Sequence, residues 1–274
     1  MRYYLYRLKA YRSRSVEVPE TRRDFFARLI EKKPSKELRK GYLWHVGNVK
    51  RVSSDCLYFA VGRTTKSTLD KYDEGAGDFV TSSDKESPYT HVIVDEENSV
   101  IAIAERNKLA GSSRVVANSL VKLLNDDSDS IKYKIRFEIA ELYDPQGFIR
   151  GIKDAYEVVS FSMGFTEPNP FDVEKDFHEP MERLLSASGG KSGATKIKGP
   201  DLDKEVLAEL AKSVASTGDE ASASIRPAEG LRPVTYRLRE GGELVSVNGP
   251  SGTENIQIVG ILETIKSVYN RIRG

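Results

Sequence analysis

Twice along this chain, two short apolar runs separated by a polar turn lead through a Gly- or Ser-containing turn into an amphipathic helix. The first instance is His91–Val94, a turn at Glu96-Glu97-Asn98, Val100–Ala104, Gly111-Ser112-Ser113 and a helix through Leu124. The second is Val234–Leu238, Gly241-Gly242, Leu244–Val247 and a helix from Thr253. Strands joined by so few residues pair antiparallel, because a parallel crossover needs a dozen or more. Repetition of this unit predicts an α+β fold of mixed or antiparallel sheets built from hairpins, with packed amphipathic helices, and it allows two related halves. The 34 residues from 91 and the 39 from 234 echo each other at this level, although hairpin–helix units also recur by coincidence.

Other segments fit the same reading. Residues 2–9 alternate as a first strand, with Tyr4, Tyr6 and Leu8 on one side. Pro19-Glu20-Thr21 opens a helix with Thr21 as N-cap and Phe25, Phe26, Leu29 and Ile30 as its inner stripe, ended by Pro34. Gly41–Val46 and Cys56–Val61 pair around Ser53-Ser54-Asp55, and polar residues 64–87 read as a long flexible excursion. Ile131–Tyr143 carries the clearest alternation, with Ile131, Tyr133, Ile135, Phe137 and Ile139 on one face and Lys132, Lys134 and Arg136 on the other. A helix over Gln146–Lys153, a strand over Tyr156–Phe165 and a helix near 172–186 follow. Residues 187–200 are small and basic and read as a flexible loop. A helix over 201–216 is capped by Asp201. The last helix places Ile258, Ile261, Leu262, Ile265, Val268, Tyr269 and Ile272 on one side. The change of style after Asp144-Pro145 suggests two domains, a basic one over 1–145 and another over 146–274.

Charge is the informative part of the composition. The 274 residues hold 42 Lys+Arg and 41 Asp+Glu, a formal net of +1. Residues 1–51 alone hold 15 Lys+Arg against 5 Asp+Glu. The clusters are Arg12 and Arg14, Arg22 and Arg23, Lys32, Lys33 and Lys36, and Arg39 and Lys40. Residues 167–182 are acidic. A local positive field attracts phosphates whatever the total charge, since screening confines it to ~8–10 Å. The basic half is therefore a candidate DNA-binding face, with Lys191, Lys196 and Lys198 as a mobile second contact. The competing readings are a solvated surface and a basic region docked on an acidic segment of its own or another subunit. Tyr3 and Tyr11, interleaved with basic residues, are the stacking candidates.

No motif supports catalysis. Gly189-Gly190-Lys191-Ser192-Gly193 resembles part of a phosphate loop, but Leu185 stands where that loop requires Gly, and a helix precedes it. Asp126-Asp127-x-Asp129 lacks the Gly and distal Glu of a calcium loop. His45, His91 and His178 lie in separate segments, His178 beside Glu179. Cys56, in an apolar strand, reads as a buried thiol, and a single Cys rules out an internal disulfide. No cofactor or metal is expected. Met1–Arg7 lacks the apolar core of a secretory signal, and no apolar run reaches the ~18–20 residues of a membrane span. A cytoplasmic protein without direct membrane insertion is expected.

The order of parts resembles the RexA-like phage-exclusion family. The segments carrying the resemblance are GYLWHVGNVKRVSSDCLYFAVGRTTKS over 41–67 and HVIVDEENSVIAIAERNKLAGSSRVVANSLVKLL over 91–124. A long strand, a Pro-bearing middle and a terminal hairpin with helix follow, so the likeness covers most of the chain in order. The resemblance implies a non-enzymatic, cytosolic α+β homodimer that binds double-stranded DNA with little sequence preference. It further implies a role in defence against phage, with a membrane ion-channel partner. It assigns no individual binding residue. A protein-interaction module for an acidic phage or membrane-effector partner is the alternative, and an unrecognised metal-dependent nuclease is a third reading.

Overall fold

The computed structural model describes residues 1–12, 16, 20–73, 75, 77–166, 183–185, 187–190, 192–200, 202–250 and 254–273; for 66–73 and 79–84 it describes backbone alone. The strands are β1 (Arg2–Arg12), β2 (Ser35–Arg39), β3 (Tyr42–Ser53), β4 (Cys56–Asp73), β5 (Asp78–Glu86), β6 (Tyr89–Asp95), β7 (Val100–Ala104), β8 (Ile135–Glu141), β9 (Glu157–Thr166), β10 (Ser192–Lys198), β11 (Ala221–Arg226), β12 (Val234–Arg237) and β13 (Ser246–Asn248). The helices are α1 (Arg22–Glu31), α2 (Ser113–Asn125), α3 (Ser128–Lys132), α4 (Gln146–Asp154), α5 (Lys204–Thr217), α6 (Leu238–Gly241) and α7 (Asn255–Arg273).

The larger sheet runs β13-β1-β7-β6-β4-β3-β2, with β8 pairing to β1 and β5 to β4; the smaller runs β10-β9-β11-β12. The pairings are antiparallel, and the fold is α+β. Among the described residues, no helix is long and apolar enough to cross a membrane.

Both faces of the large sheet are covered. Tyr3, Leu5, Tyr58, Ile93 and Ala102 pack with Ile258, Ile261 and Ile265 of α7. Tyr6, Phe59, Val92 and Ile101 pack with Phe26 and Ile30 of α1 and Leu120 and Leu124 of α2. Strands buried on both faces read as continuous apolar runs, which is why all five residues of β7 are apolar and buried. Thr21 caps α1 by accepting from the Asp24 amide at 3.1 Å, and the rings of Phe25 and Phe26 meet Phe137.

Several expectations are corrected. Ile131 does not begin a strand. Asp127 accepts from the Asp129 amide and caps the single turn α3. Lys134 then takes a φ of 50°, so local capping overrides the alternation until Ile135. Residues 64–87 are not a structureless excursion, because β4 and β5 pair from Thr65↔Glu86 to Asp73↔Asp78. A backbone ladder of this kind leaves no hydrophobic signature. Residues 192–198 are not loop but an edge strand, in register with β9 from Ser192↔Thr166 to Lys198↔Ser160. Nor is 234–247 a hairpin: β12 joins the small sheet and β13 the large one. The echo between the two hairpin–helix segments therefore ends at the sequence. The α5 cap is Asp203, not Asp201; its carboxylate accepts from the amides of Glu205 and Val206. Residues 172–182 of the expected acidic helix lie outside the described residues.

One apolar cluster crosses residue 145. It joins Tyr3, Leu5 and Tyr58 to Phe148, Phe161, Leu210 and Ile265. Arg7, 1% exposed, reinforces the junction. Its Nη1 donates to the Asn98 carbonyl and, at 2.7 Å, to the Tyr269 hydroxyl, which donates to Ser216 O at 3.1 Å. A single side chain thereby ties β1, the β6–β7 turn, α5 and α7. Tyr269→Phe removes both hydroxyl bonds and should lower stability by about 1.5–3 kcal/mol, since one of them is to a charged donor. Urea unfolding measures this directly, and an unchanged midpoint would refute the tie.

Candidate nucleic-acid interface

Several of the N-terminal cations are internally neutralised. Arg23 donates to the Ser54 carbonyl and pairs at 3.2 Å with Glu96, whose side chain also holds Arg51 at 2.6 Å. Arg28 pairs with Glu20 and Asp129. Lys32 reaches Asp129 at 2.6 Å and Asp127 at 3.3 Å, and Lys36 reaches Asp126 at 2.9 Å. The Asp126-Asp127-x-Asp129 turn is thus the counter-charge of α1 and β2. Hydrogen bonds from Lys32 and Arg28 pull the Asp129 carboxyl down to about 2. Arg22 also has a partner. Arg23, Lys32 and Lys36, expected as phosphate contacts, are thus held in ion pairs with acidic side chains of the same chain. Arg14 and Lys191 lie outside the described residues.

Lys33, Arg39, Lys40, Lys196 and Lys198 are exposed, and Arg12 half-buried, with no acidic partner among the described residues. Arg39 and Lys40 belong to the tight connection between β2 and β3. There the register runs Lys36↔Trp44, Glu37↔Leu43, then shifts to Arg39↔Tyr42. Gly41, at φ 80°, makes the turn, and its amide donates to Glu37 Oε1. Arg63 arrives from β4, directly opposite Trp44. The Arg39 and Arg63 guanidinium carbons lie 5.4 and 5.1 Å from the centre of the same Tyr42 ring. Arg63 Nε is buried without a hydrogen-bond partner among the described residues. Two guanidiniums thus share one aromatic ring and no carboxylate, which leaves their donors open to an anion. Charge clusters and motifs do not single out Tyr42 or Arg63. The signal that could find them is the strand pairing itself: extended two residues past Val61, it sets Arg63 opposite Trp44.

Lys196 and Lys198 are fixed on β10. Inward-facing Phe161 and Ala223 belong to the core, so the alternate residues face away from it. The register aligns Lys196, Ser162, Ser222 and Arg237 across four strands, and Lys198, Ser160, Ser224 and Thr235 in the next row.

The expected stacking tyrosines are corrected. Tyr3 and Tyr11 are 1% and 9% exposed, because β1 is packed on both faces. Their hydroxyls bond to Pro250 O and Glu138, and burial pushes Tyr3 up to about 12. No protein-family model matches the chain, and no curated protein matches it significantly.

One set of carboxylates resembles the donor set of a metal nuclease. Oxygens of Asp55, Asp95 and Glu97 lie within 4.8 Å of one another. The Lys266 ammonium stands among them, 2.5 Å from Asp55 and 3.0 Å from Glu97. Asp95 accepts from the amides of Glu97 and Asn98 and from Asn98 Nδ2. These contacts make a turn lock between β3–β4, β6–β7 and α7. Cys56 is fully buried, and burial pushes its thiol up to about 12, far from a thiolate. His45 is bonded to Ser35 and Thr64.

The lock sets an acid response. Lys266 and Ser53 hold the Asp55 carboxyl at about 2, below its ordinary 3.8. A depressed folded value contributes stability above the unfolded value and loses it as pH falls through the folded one. Between about pH 4 and about pH 2 the wild-type protein should therefore lose stability more steeply than Asp55→Asn. Urea midpoints across that window test it, and parallel profiles would exclude the lock as their source.

Proposed function

We propose that this protein binds double-stranded DNA without enzymatic action and with little sequence preference, as a sensor or effector of antiphage defence. The observation that carries the reading is the Arg39–Tyr42–Arg63 cluster with Lys40 beside it, cations held in place without acidic partners among the described residues. Guanidinium forks match phosphate oxygens, and each phosphate contact releases condensed counterions from the duplex. A cluster at a strand connection positions the protein on the sugar–phosphate backbone, and backbone contacts carry no direct base information. The likeness in order of parts to the RexA-like family supports the antiphage role. With it come a homodimeric state, a cytoplasmic location and an ion-channel partner in the membrane as parts of the same proposal.

Fluorescence anisotropy with a random duplex of about 30 base pairs, titrated from about 50 to 200 mM salt, tests it. The double variant Arg39→Glu/Arg63→Glu should weaken binding to all sequences alike and reduce the slope of log K against log salt by about 2. Lys32→Gln, which loosens only an internal ion pair, should leave the slope unchanged. The double variant should also restore phage plating if exclusion acts through DNA. Wild-type affinity in the double variant would overturn the assignment of this cluster.

A further inference from the structure

The outer face of the small sheet contains a cleft of about 520 Å³ lined by Ser162, Gly164, Ala194, Ser222, Arg237 and Arg239, with Met163, Ala221, Glu220 and Glu240 around it. We infer that this cleft binds a small phosphomonoester of mononucleotide size. It stands apart from the Arg39–Tyr42–Arg63 cluster and does not depend on the DNA reading.

The floor is made by register. Ser162 and Ser222 are direct cross-strand partners between Lys196 and Arg237. Neither hydroxyl has a partner among the described residues. Gly164 and Ala194 contribute almost no side chain, so the floor stays open. Two guanidiniums stand over it, each with only part of its fork in use. Arg237 Nη1 pairs with Glu240 at 2.7 Å and Arg239 Nη2 with Glu220 at 3.0 Å. All four of these side chains are at least half exposed, and exposed ion pairs are weak.

A phosphate dianion has the charge and the three terminal oxygens to engage both forks and both hydroxyls; a carboxylate offers one oxygen fewer and half the charge. Bidentate contact to ionised oxygen is the strong form of the arginine hydrogen bond. Ala194, with the backbone of Gly164, Met163 and Ala221, gives the cleft an apolar part, which suits an organic body attached to the phosphate. Its volume lies in the range typical of small-molecule sites, ~300–1,000 Å³.

Isothermal titration of the full chain with adenosine 5′-monophosphate, adenosine and inorganic phosphate tests the inference. The monophosphate should bind at one site, inorganic phosphate more weakly and adenosine not at all. Arg237→Gln/Arg239→Gln should cut monophosphate affinity at least tenfold with duplex affinity and thermal midpoint unchanged. Ser222→Val, which fills the floor, should do the same if the arginine pair proves poorly folded. Absence of monophosphate binding at millimolar concentration, equal binding of adenosine, or full affinity in a folded double variant would each overturn it. Absence of duplex binding by the wild-type protein, with monophosphate binding intact, would count against the DNA reading and support this one.

Discussion

A guanidinium removed from water must be compensated by hydrogen bonds, because its charge cannot be shed at physiological pH. Arg7 meets part of that requirement through Nη1, with the Asn98 carbonyl and the Tyr269 hydroxyl, while its Nη2 is buried without a partner among the described residues; the Tyr269 ring lies against it, 5.7 Å from the guanidinium carbon. Two residues along β1, Lys9 pairs at 2.7 Å with Asp219, both side chains under 10% exposed. The first strand thus reaches α5, α7 and the segment after α5 through buried charge. Its backbone meets β7, β8 and β13. The N-terminal strand is thus paired with β13 and packed against α7, both from beyond residue 145. Cations without apolar substitutes at such a junction are costly to break by removing one partner.

The same economy governs the surface. A count of basic residues over 1–51 suggests one broad positive field, yet the folded chain turns Arg23, Arg28, Lys32, Lys36 and Arg51 onto Glu96, Glu20 and the Asp126–Asp129 turn. Pairing at 2.6–3.3 Å shrinks the field well inside a Debye length. What remains is local, at the β2–β3 connection and on the outer face of the small sheet. A reading of anion binding from charge runs needs this subtraction before any residue is assigned.

Legibility follows the physics of each element. The Thr21 cap, the apolar stripe of α7 and the β6–β7 hairpin are readable because each depends on residues within one or two turns of each other. The edge strand β10 is not, since Ser192–Lys198 holds its place by backbone bonds to β9, and only Thr195 and Ile197 face the core side with any bulk. β13 takes a different partner from the one its sequence neighbourhood suggests, because a three-residue strand carries no register information of its own. The candidate interface is half legible. Arg39 and Lys40 stand out as charge, whereas Tyr42 and Arg63 come together only through the β3–β4 register, and no local pattern announces that.

Lysines and arginines on β2 have a simpler use that must be separated from binding. An edge strand exposes unpaired backbone groups, and Lys33, Lys36 and Arg39 on or beside it discourage pairing with another chain. Arg63 does not fit that explanation. It lies within β4, opposite Trp44 on one side, while its amide bonds to Pro88 O on the other, so no edge needs its charge. Its Nε is buried without a partner among the described residues, a cost that edge protection does not offset. Arg39 of β2 and Arg63 of β4 approach, from neighbouring strands, the Tyr42 ring of the strand between them, 5.4 and 5.1 Å from its centre. The proposed phosphate contact draws on that arrangement, and it includes the one arginine of the cluster that charge counting over 1–51 does not include.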